Sequence, residues 1–467
     1  MRTLISHARL VATMDDRRTR FEDGYVLIED DRILAVGSGE PPAEPRPDRT
    51  LDARGKVVLP GLVNTHHHLV QTLTRNVPRV QEAPLFRWLT ELYQVWRGLD
   101  QDAVDAGARV GLGELLLTGC TTTTDHTYLF PRGQERFIDV QIAAARELGI
   151  RFQPTRGSMS RGESQGGLPP DEVCQDEETI LADSLRLIRE HHDARPRAMT
   201  RIALAPCSPF SVTDELMRRT RDLAREHGVR LHTHLAETRD EDEYCQRIYG
   251  CRPVEYLRGL DWLGPDVWLA HCVHLNAEEV RLFAETGTAV GHCPSSNQRL
   301  GSGQAPIRPL LEAGAAVGLG VDGSASNDSS NMLAELRQAL LLHRQEPDPA
   351  RWISAEEVFW MATRGGARCL GRDDVGSLEP GKAADLLLVE TRRLSYAGGG
   401  SDILAALVFS PWPEPVDTVI VNGRVVVSSG ELLGVDVEAL AARAEAVSQR
   451  LLREASARTG RDYFGRT

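Results

Sequence analysis

Eight short apolar runs punctuate the middle of this 467-residue chain, each parted from the next by a longer amphipathic segment. They are VLPGLVNTHHH, GCTTTTDHTY, IRFQPTRGSM, TRIALAPCSPF, VRLHTHLAE, VWLAHCVHL, TAVGHCPSSN and AAVGLGVDGSAS. Such alternation reads as βα units around a parallel sheet. Eight units fit a (β/α)8 TIM-type barrel of the α/β class better than an open doubly wound sheet. In most runs the His, Asp, Cys or Ser residues sit at the C-terminal end of the apolar stretch, where a barrel gathers its active site. The segment 160–178 reads as a long loop after the third strand. The flanks have a different texture: TLISHARLVAT, GYVLIEDDRILAVGS and RTLDARGKVVLPG at the start, VGSLEPGKAADLLLVE and DTVIVNGRVVVSSGELL near the end, are β-branched runs separated by turn signals. The expected division is a barrel over 59–370 and a small β-sandwich built jointly from 1–58 and 371–467, the latter including a terminal helix.

The first run ends in three histidines. In an extended strand alternate side chains share a face, so His66 and His68 point together while His67 points away. Two imidazoles at a barrel mouth are natural metal ligands. The fifth run repeats the pattern with His232 and His234, followed by Glu237 at the strand exit; the sixth ends in His271 and the eighth in Asp322-Gly323. A single buried histidine is an ordinary core residue. His66, His68, His234, His271 and Asp322, all at strand ends of a repeating fold, call for a metal site.

On these residues the chain resembles the amidohydrolase superfamily: the H-x-H after strand one, H-x-x-E at strand five, His at strand six, Asp-Gly at strand eight and the tail GSLEPGKAADLLL. The resemblance to its mononuclear deaminase branch implies one divalent ion, Zn2+ first and Fe2+ as the alternative, held by His66, His68, His234 and Asp322. It also implies Glu237 as proton shuttle and His271 as a polarising group outside the coordination sphere. The binuclear branch uses a carbamylated lysine on strand four, but Lys56 and Lys382 are the only lysines here. One metal follows unless a carboxylate bridge substitutes. A bound divalent metal lowers the pKa of its water from about 15.7 towards neutrality. Asp322 then accepts a proton as the water attacks an sp2 carbon, and Glu237 protonates first the ring nitrogen and later the leaving amine.

The stretches NTHHHLVQTLTR, PLFRWLTELYQVWRGL and LAPCSPFSV are similar to deaminases of oxidised purines and pterins, with guanine deaminases and triazine hydrolases as neighbours. The implied substrate is a small heterocycle, 8-oxoguanine foremost, and the implied assembly a homo-oligomer. Trp88 is either helix core or a stacking surface. Gln71, three residues beyond His68, reads a lactam edge or lies on the surface. Cys207 contacts the ring or fills space, and His126 is a pocket wall rather than a ligand.

Other classes drop out. A formal charge of −13, from 67 acidic and 54 basic residues, offers no basic patch for a nucleic-acid polymer. No apolar run approaches the roughly 18 residues of a membrane span, and MRTLISHARLVATMDD lacks a secretory apolar core. Eight cysteines without paired spacing suit reduced thiols, so the expected compartment is the cytoplasm. The H-x-E and P-C-x-x-C signature of cytidine-type deaminases and the H-E-x-x-H of zincins are both missing. A non-catalytic assembly protein of this fold would be expected to have lost ligands, and this chain keeps them all.

Overall fold

The computed structural model describes residues 1–465 apart from 43, 132 and 411–414. Five strands open the chain: Arg2–Ala12 (β1), Arg20–Glu29 (β2), Arg32–Ser38 (β3), Arg49–Asp52 (β4) and Lys56–Pro60 (β5). Eight more follow, each from one of the apolar runs: Leu62–Asn64 (β6), Cys120–Thr127 (β7), Arg151–Ser158 (β8), Ala203–Pro206 (β9), Arg230–Leu235 (β10), Val267–His271 (β11), Ala289–His292 (β12) and Val317–Leu319 (β13). The last four are Leu386–Glu390 (β14), Thr418–Val421 (β15), Arg424–Ser428 (β16) and Glu431–Leu432 (β17).

Strands β6 to β13 pair in parallel in sequence order. The ring closes where the Thr65 N–H and hydroxyl both donate to the Leu319 carbonyl at 2.9 Å. Local chemistry supports each unit. The β7 sequence CTTTTDHT is rich in β-branched residues and buried throughout. The helix Asp214–His227 is capped by the Thr213 side chain, which accepts from Leu216 N–H, and it stops at Gly228 in the left-handed region (φ 63) just before β10.

The other strands form one sheet of order β17-β16-β15-β14-β5-β1-β2-β3, with β4 on β1. Both chain ends therefore contribute, as their texture implied. In β1 the register shifts between Ile5 and Ala8, and His7 takes φ 58. That bulge bends the strand, so its first half pairs β4 and its second half β5. Ile5, Val26, Ile28, Val58, Leu386 and Ile420 enclose a core separate from the barrel's. The β15–β16 hairpin turns at Asn422-Gly423, both at positive φ, the conformation an Asn-Gly pair adopts most readily. No helix among the described residues is long and apolar enough to cross a membrane.

One expectation needs correcting. The H-x-H lies beyond β6, which ends at Asn64. The backbone nonetheless stays extended there, because His66 C=O accepts from Asp322 N–H (3.0 Å) on one side and His67 C=O from His126 N–H (2.7 Å) on the other. Successive carbonyls reaching opposite neighbours preserve the alternation of side chains.

Candidate active site

His66, His68, His234, Glu237, His271 and Asp322 are brought together, all buried, at the C-terminal mouth of the barrel. Their ring partners fix the tautomers. His68 Nδ1 lies 2.8 Å from the His126 carbonyl and His234 Nδ1 2.7 Å from that of Cys207. A carbonyl only accepts, so each Nδ1 carries its proton and each Nε2 presents a lone pair. His232 Nδ1 likewise meets the Trp268 carbonyl at 2.8 Å, so His232 Nε2 is the acceptor for His66 Nδ1 at 2.9 Å. His66 Nε2 is then a third lone pair, buried with no partner.

These three lone pairs converge. His68 Nε2 and His234 Nε2 stand 3.1 Å apart, and the Asp322 Oδ1 lies 3.3 Å from His66 Nε2 and 3.4 Å from His68 Nε2. Facing lone pairs and a carboxylate repel one another unless a cation sits between them, so the donor set fits one divalent ion with nitrogen and oxygen ligands. Burial pulls the His66 imidazole well below its ordinary range and that of His234 down to about 3, which keeps both neutral, as ligation requires.

The rest of Asp322 is spoken for. Its Oδ2 accepts from the Ser296 and Ser326 hydroxyls at 2.5 and 3.1 Å. Although burial pushes its carboxyl up, the hydrogen bond and charge of His66, with His271 and His68, hold it well below the usual carboxylate range. His271 is oriented by Asn297, whose Oδ1 lies 2.9 Å from Nδ1; its Nε2 is 3.6 Å from Glu237 and 4.0 Å from Asp322. Burial pushes the Glu237 carboxyl up to about 7, against the pull of His271. Such a group holds or releases a proton at neutral pH. Glu241 accepts from the N–H groups of Ala236 (2.8 Å) and Glu237 (3.0 Å) and so fixes that turn.

Four non-glycine residues at these strand ends occupy the left-handed region: Ala236 (φ 51), His271 (φ 70), Cys272 (φ 50) and Asp322 (φ 61). Strain of this kind concentrates where side chains must be aimed rather than packed. The glycine after Asp322 has a direct cause: a Cβ at Gly323 would lie 1.9 Å from Gln71 Oε1.

A cavity opens over the cluster, walled by Trp88, Tyr93, Tyr128 and Phe210 and including Gln71, Cys207, Ser208, Glu237 and His271. Gln71 is 1% exposed, so its surface reading fails; the short helix Leu69–Thr74 carries it inward. Trp88 packs edge-on against Trp96 at 5.3 Å, as its core reading expects, and also lines the cavity. Cys207 lines the cavity with its thiol pushed up to about 12 by burial, hence neutral, and its carbonyl also orients His234. His126 is the exception to the expected wall. Its Nε2 turns into the Ala205 carbonyl (2.9 Å) and its ring stacks on His234 at 4.7 Å, so it stands behind the ligands instead of lining the cavity. One ring nitrogen of His126 does fall within 4.8 Å of the ligand atoms of His66, His68 and His234.

Sequence reasoning missed Ser296, Asn297, Ser326, Glu241 and Tyr128. The i, i+2 spacing of His232 and His234 was the one available signal for the support of His66.

Convergent imidazoles, a buried carboxylate and an adjacent neutral-range acid define a mononuclear metal-dependent hydrolase. Residues 57–426 match the amidohydrolase family model. The chain is 51% identical over 430 residues to 8-oxoguanine deaminase of Pseudomonas aeruginosa, covering 92% of this chain and 95% of that one. It is 36% identical over 466 residues to hydroxydechloroatrazine ethylaminohydrolase of Pseudomonas sp. strain ADP, covering 96% of each. Among solved structures, the zinc complex of atrazine chlorohydrolase from Arthrobacter aurescens TC1 superposes with a TM-score of 0.91 at 37% identity, covering 96% of this chain and all of the other. The chain belongs to the amidohydrolase family. It is a hydrolase acting on C–N bonds, with a single divalent metal as cofactor.

Proposed function

We propose that the enzyme deaminates an oxidised purine, converting 8-oxoguanine to urate and ammonia, with zinc as its metal. The observation that carries this reading is the chemistry of the cavity wall. Trp88 Nε1 and Gln71 Oε1 are buried with no protein partner, one a donor and the other an acceptor. Of the described residues lining the cavity, none is Lys or Arg. A flat, uncharged ring with C=O and N–H edges satisfies both orphans, whereas a phosphorylated substrate would find no lysine or arginine on the wall. The 51% identical 8-oxoguanine deaminase supports the choice of ring, and the zinc-bound chlorohydrolase supports the choice of metal.

His66, His68, His234 and Asp322 hold the ion, which when bound acidifies water and so supplies the nucleophile. Asp322, anchored through Oδ2, takes the proton released as the C–O bond forms. Glu237 enters protonated and gives its proton to the ring nitrogen beside the attacked carbon; it then receives the proton that Asp322 took from the attacking oxygen and passes it to the amine as the C–N bond breaks. His271, held by Asn297, faces the attacking oxygen and stabilises its charge. Ammonia is the leaving group.

Ammonia release from 8-oxoguanine, guanine, isoxanthopterin, cytosine and aminotriazines tests the assignment. Guanine is expected to have at least tenfold lower kcat/KM than 8-oxoguanine, about 1.4 kcal/mol in transition-state binding, because buried polar atoms lose a partner. Gln71→Leu should narrow that gap with the metal retained. Equal kcat/KM for the two purines in the unmodified enzyme would sink the oxidised-purine reading.

A further inference from the structure

The opposite face of the barrel holds a second cavity, of about 520 Å3, framed by the N-terminal ends of β9, β10 and β11. Arg201, Arg225 and Arg230 line it, with Gln153 and His192. Arg225 is balanced by Asp261 and Asp266, at 2.6 and 2.9 Å. The other two arginines are not. Arg230 donates through its outer nitrogens to the carbonyls of Pro265 (2.7 Å) and Cys369 (2.8 Å), while its buried Nε has no acceptor. Among the described residues, no carboxylate oxygen approaches its guanidinium within 4.0 Å. Arg201 repeats the pattern, donating to the carbonyls of Gly371 and Arg195 (3.3 Å each) with its buried Nε unmatched. Its one carboxylate, Asp374 at 3.8 Å, is already engaged by two nitrogens of Arg372 at 2.8 and 2.9 Å.

Carbonyl dipoles satisfy hydrogen bonds but leave net charge uncompensated, and these two half-buried guanidinium groups, lacking a close carboxylate of their own, favour an anion beside them. Burial pulls the Arg230 guanidinium below the arginine range, opposed only by the Cys369 thiol and Asp266. Gln153 adds the complementary need. It is 1% exposed, its amide nitrogen donates to the Leu370 carbonyl at 3.2 Å, and its Oε1 is buried without a donor. His192 Nδ1 accepts from Ile202 N–H at 3.0 Å, which places that ring's proton on Nε2.

We propose that this cavity binds a phosphorylated small molecule, its phosphate lying against Arg201 and Arg230 and a hydroxyl or N–H of the same molecule donating to Gln153 Oε1. Phosphate matches two uncompensated guanidinium groups better than a single carboxylate does, because it carries up to two charges on three or more acceptor oxygens. The volume lies in the range of cavities that enclose whole small molecules, beyond what one free phosphate ion fills. The site is separate from the catalytic cavity, whose walls carry no arginine, so the metal chemistry and this binding stand or fall independently.

Thermal melting and titration calorimetry on the metal-loaded enzyme test the proposal, with inorganic phosphate, ribose 5-phosphate, a nucleoside 5′-monophosphate, and potassium chloride at matched ionic strength. A phosphate-specific rise in Tm is expected, with the monoesters at least tenfold tighter than inorganic phosphate; equal affinity would assign the site to the free ion. Arg201→Gln and Arg230→Met should each weaken binding at least tenfold without changing kcat/KM for the heterocycle. Should Arg230→Met fail to fold, Arg201→Gln still carries the charge test. Gln153→Leu should then remove the preference for monoesters. No rise beyond that of chloride, or an unchanged rise in Arg201→Gln, would overturn the site. So would binding that disappears in Asp322→Asn, which would place the phosphate at the metal.

Discussion

Between two histidines that face the metal cluster, His67 turns the other way, its Nε2 meeting the Ser330 hydroxyl at 2.9 Å inside the protein. His67→Ala is therefore expected to keep its metal while losing about 1–3 kcal/mol of stability, through a cavity and the loss of one of the two hydrogen-bond partners of the Ser330 hydroxyl. His66→Ala and His68→Ala should lose the ion. Metal analysis with denaturant melts separates the cases, and equal metal loss in all three would contradict the alternation. A second contrast lies between Glu237 and Asp322. Glu237→Gln and Asp322→Asn should each cost about 10²–10⁴-fold or more in kcat, yet only the Asp322 variant should lower metal content; loss of the ion in Glu237→Gln would make that carboxylate a ligand. The polar strand ends made these residues legible in the sequence. Their supports were not. Ser296 and Asn297 lie in the CPSSN end of the seventh run, where nothing marks which hydroxyl or amide turns inward. Glu241 hides in the acidic start of a helix, RDEDE, a pattern that ordinarily faces solvent and complements the helix dipole. Only the left-handed Ala236 turn brings two N–H groups within its reach.

The helix Met332–Leu342 shows the same logic one level up, because its buried Glu335 clamps two neighbouring elements. It accepts from Ser295 N–H (2.9 Å) and hydroxyl (2.6 Å) on one side and from the Asn327 amide (2.9 Å) on the other. Those elements carry Ser296 and Ser326, the two hydroxyls on Asp322. Burial pushes the Glu335 carboxyl up to about 7. A carboxyl raised in the folded state contributes its full stability below its unfolded pKa, near 4.5, and loses that contribution as pH rises through about 7. Stability should accordingly fall between pH 5 and 8, and Glu335→Gln should remove up to about 3 kcal/mol of that fall, at some cost in stability at pH 5. Parallel stability–pH curves for the two proteins, from chemical denaturation, would refute the clamp. At this scale the sequence was most informative. All eight barrel strands fall inside the predicted runs, because most carry apolar or β-branched residues along their length and polar ones at their exit, although β8 (RFQPTRGS) departs from that pattern. The boundary after Asn64 escaped, since an extended segment that exchanges hydrogen bonds with two different neighbours has the same pattern as a strand.

Across the whole molecule, the barrel is fastened to the sheet of chain ends by a buried ion pair. Arg151, which begins β8, donates to both oxygens of Asp385 at 2.8 and 2.9 Å, with the pair 0% and 2% exposed. Asp385 also accepts from Asn422 N–H at 2.7 Å, in the β15–β16 turn. Arg151→Met should cost about 3–5 kcal/mol, because it strands a buried carboxylate, and adding Asp385→Leu should recover much of the loss. Additive losses in a double-mutant cycle would show that the two side chains act separately. The sheet itself sets a timetable. Val58 of β5 lies opposite Leu388 of β14, so the strand made early has no neighbour on that side until the entire barrel has been synthesised. At ribosomal rates of about 5–20 residues per second that interval is on the order of tens of seconds. For that time an apolar edge stands open to other chains, and the cell must shield it or finish the protein quickly.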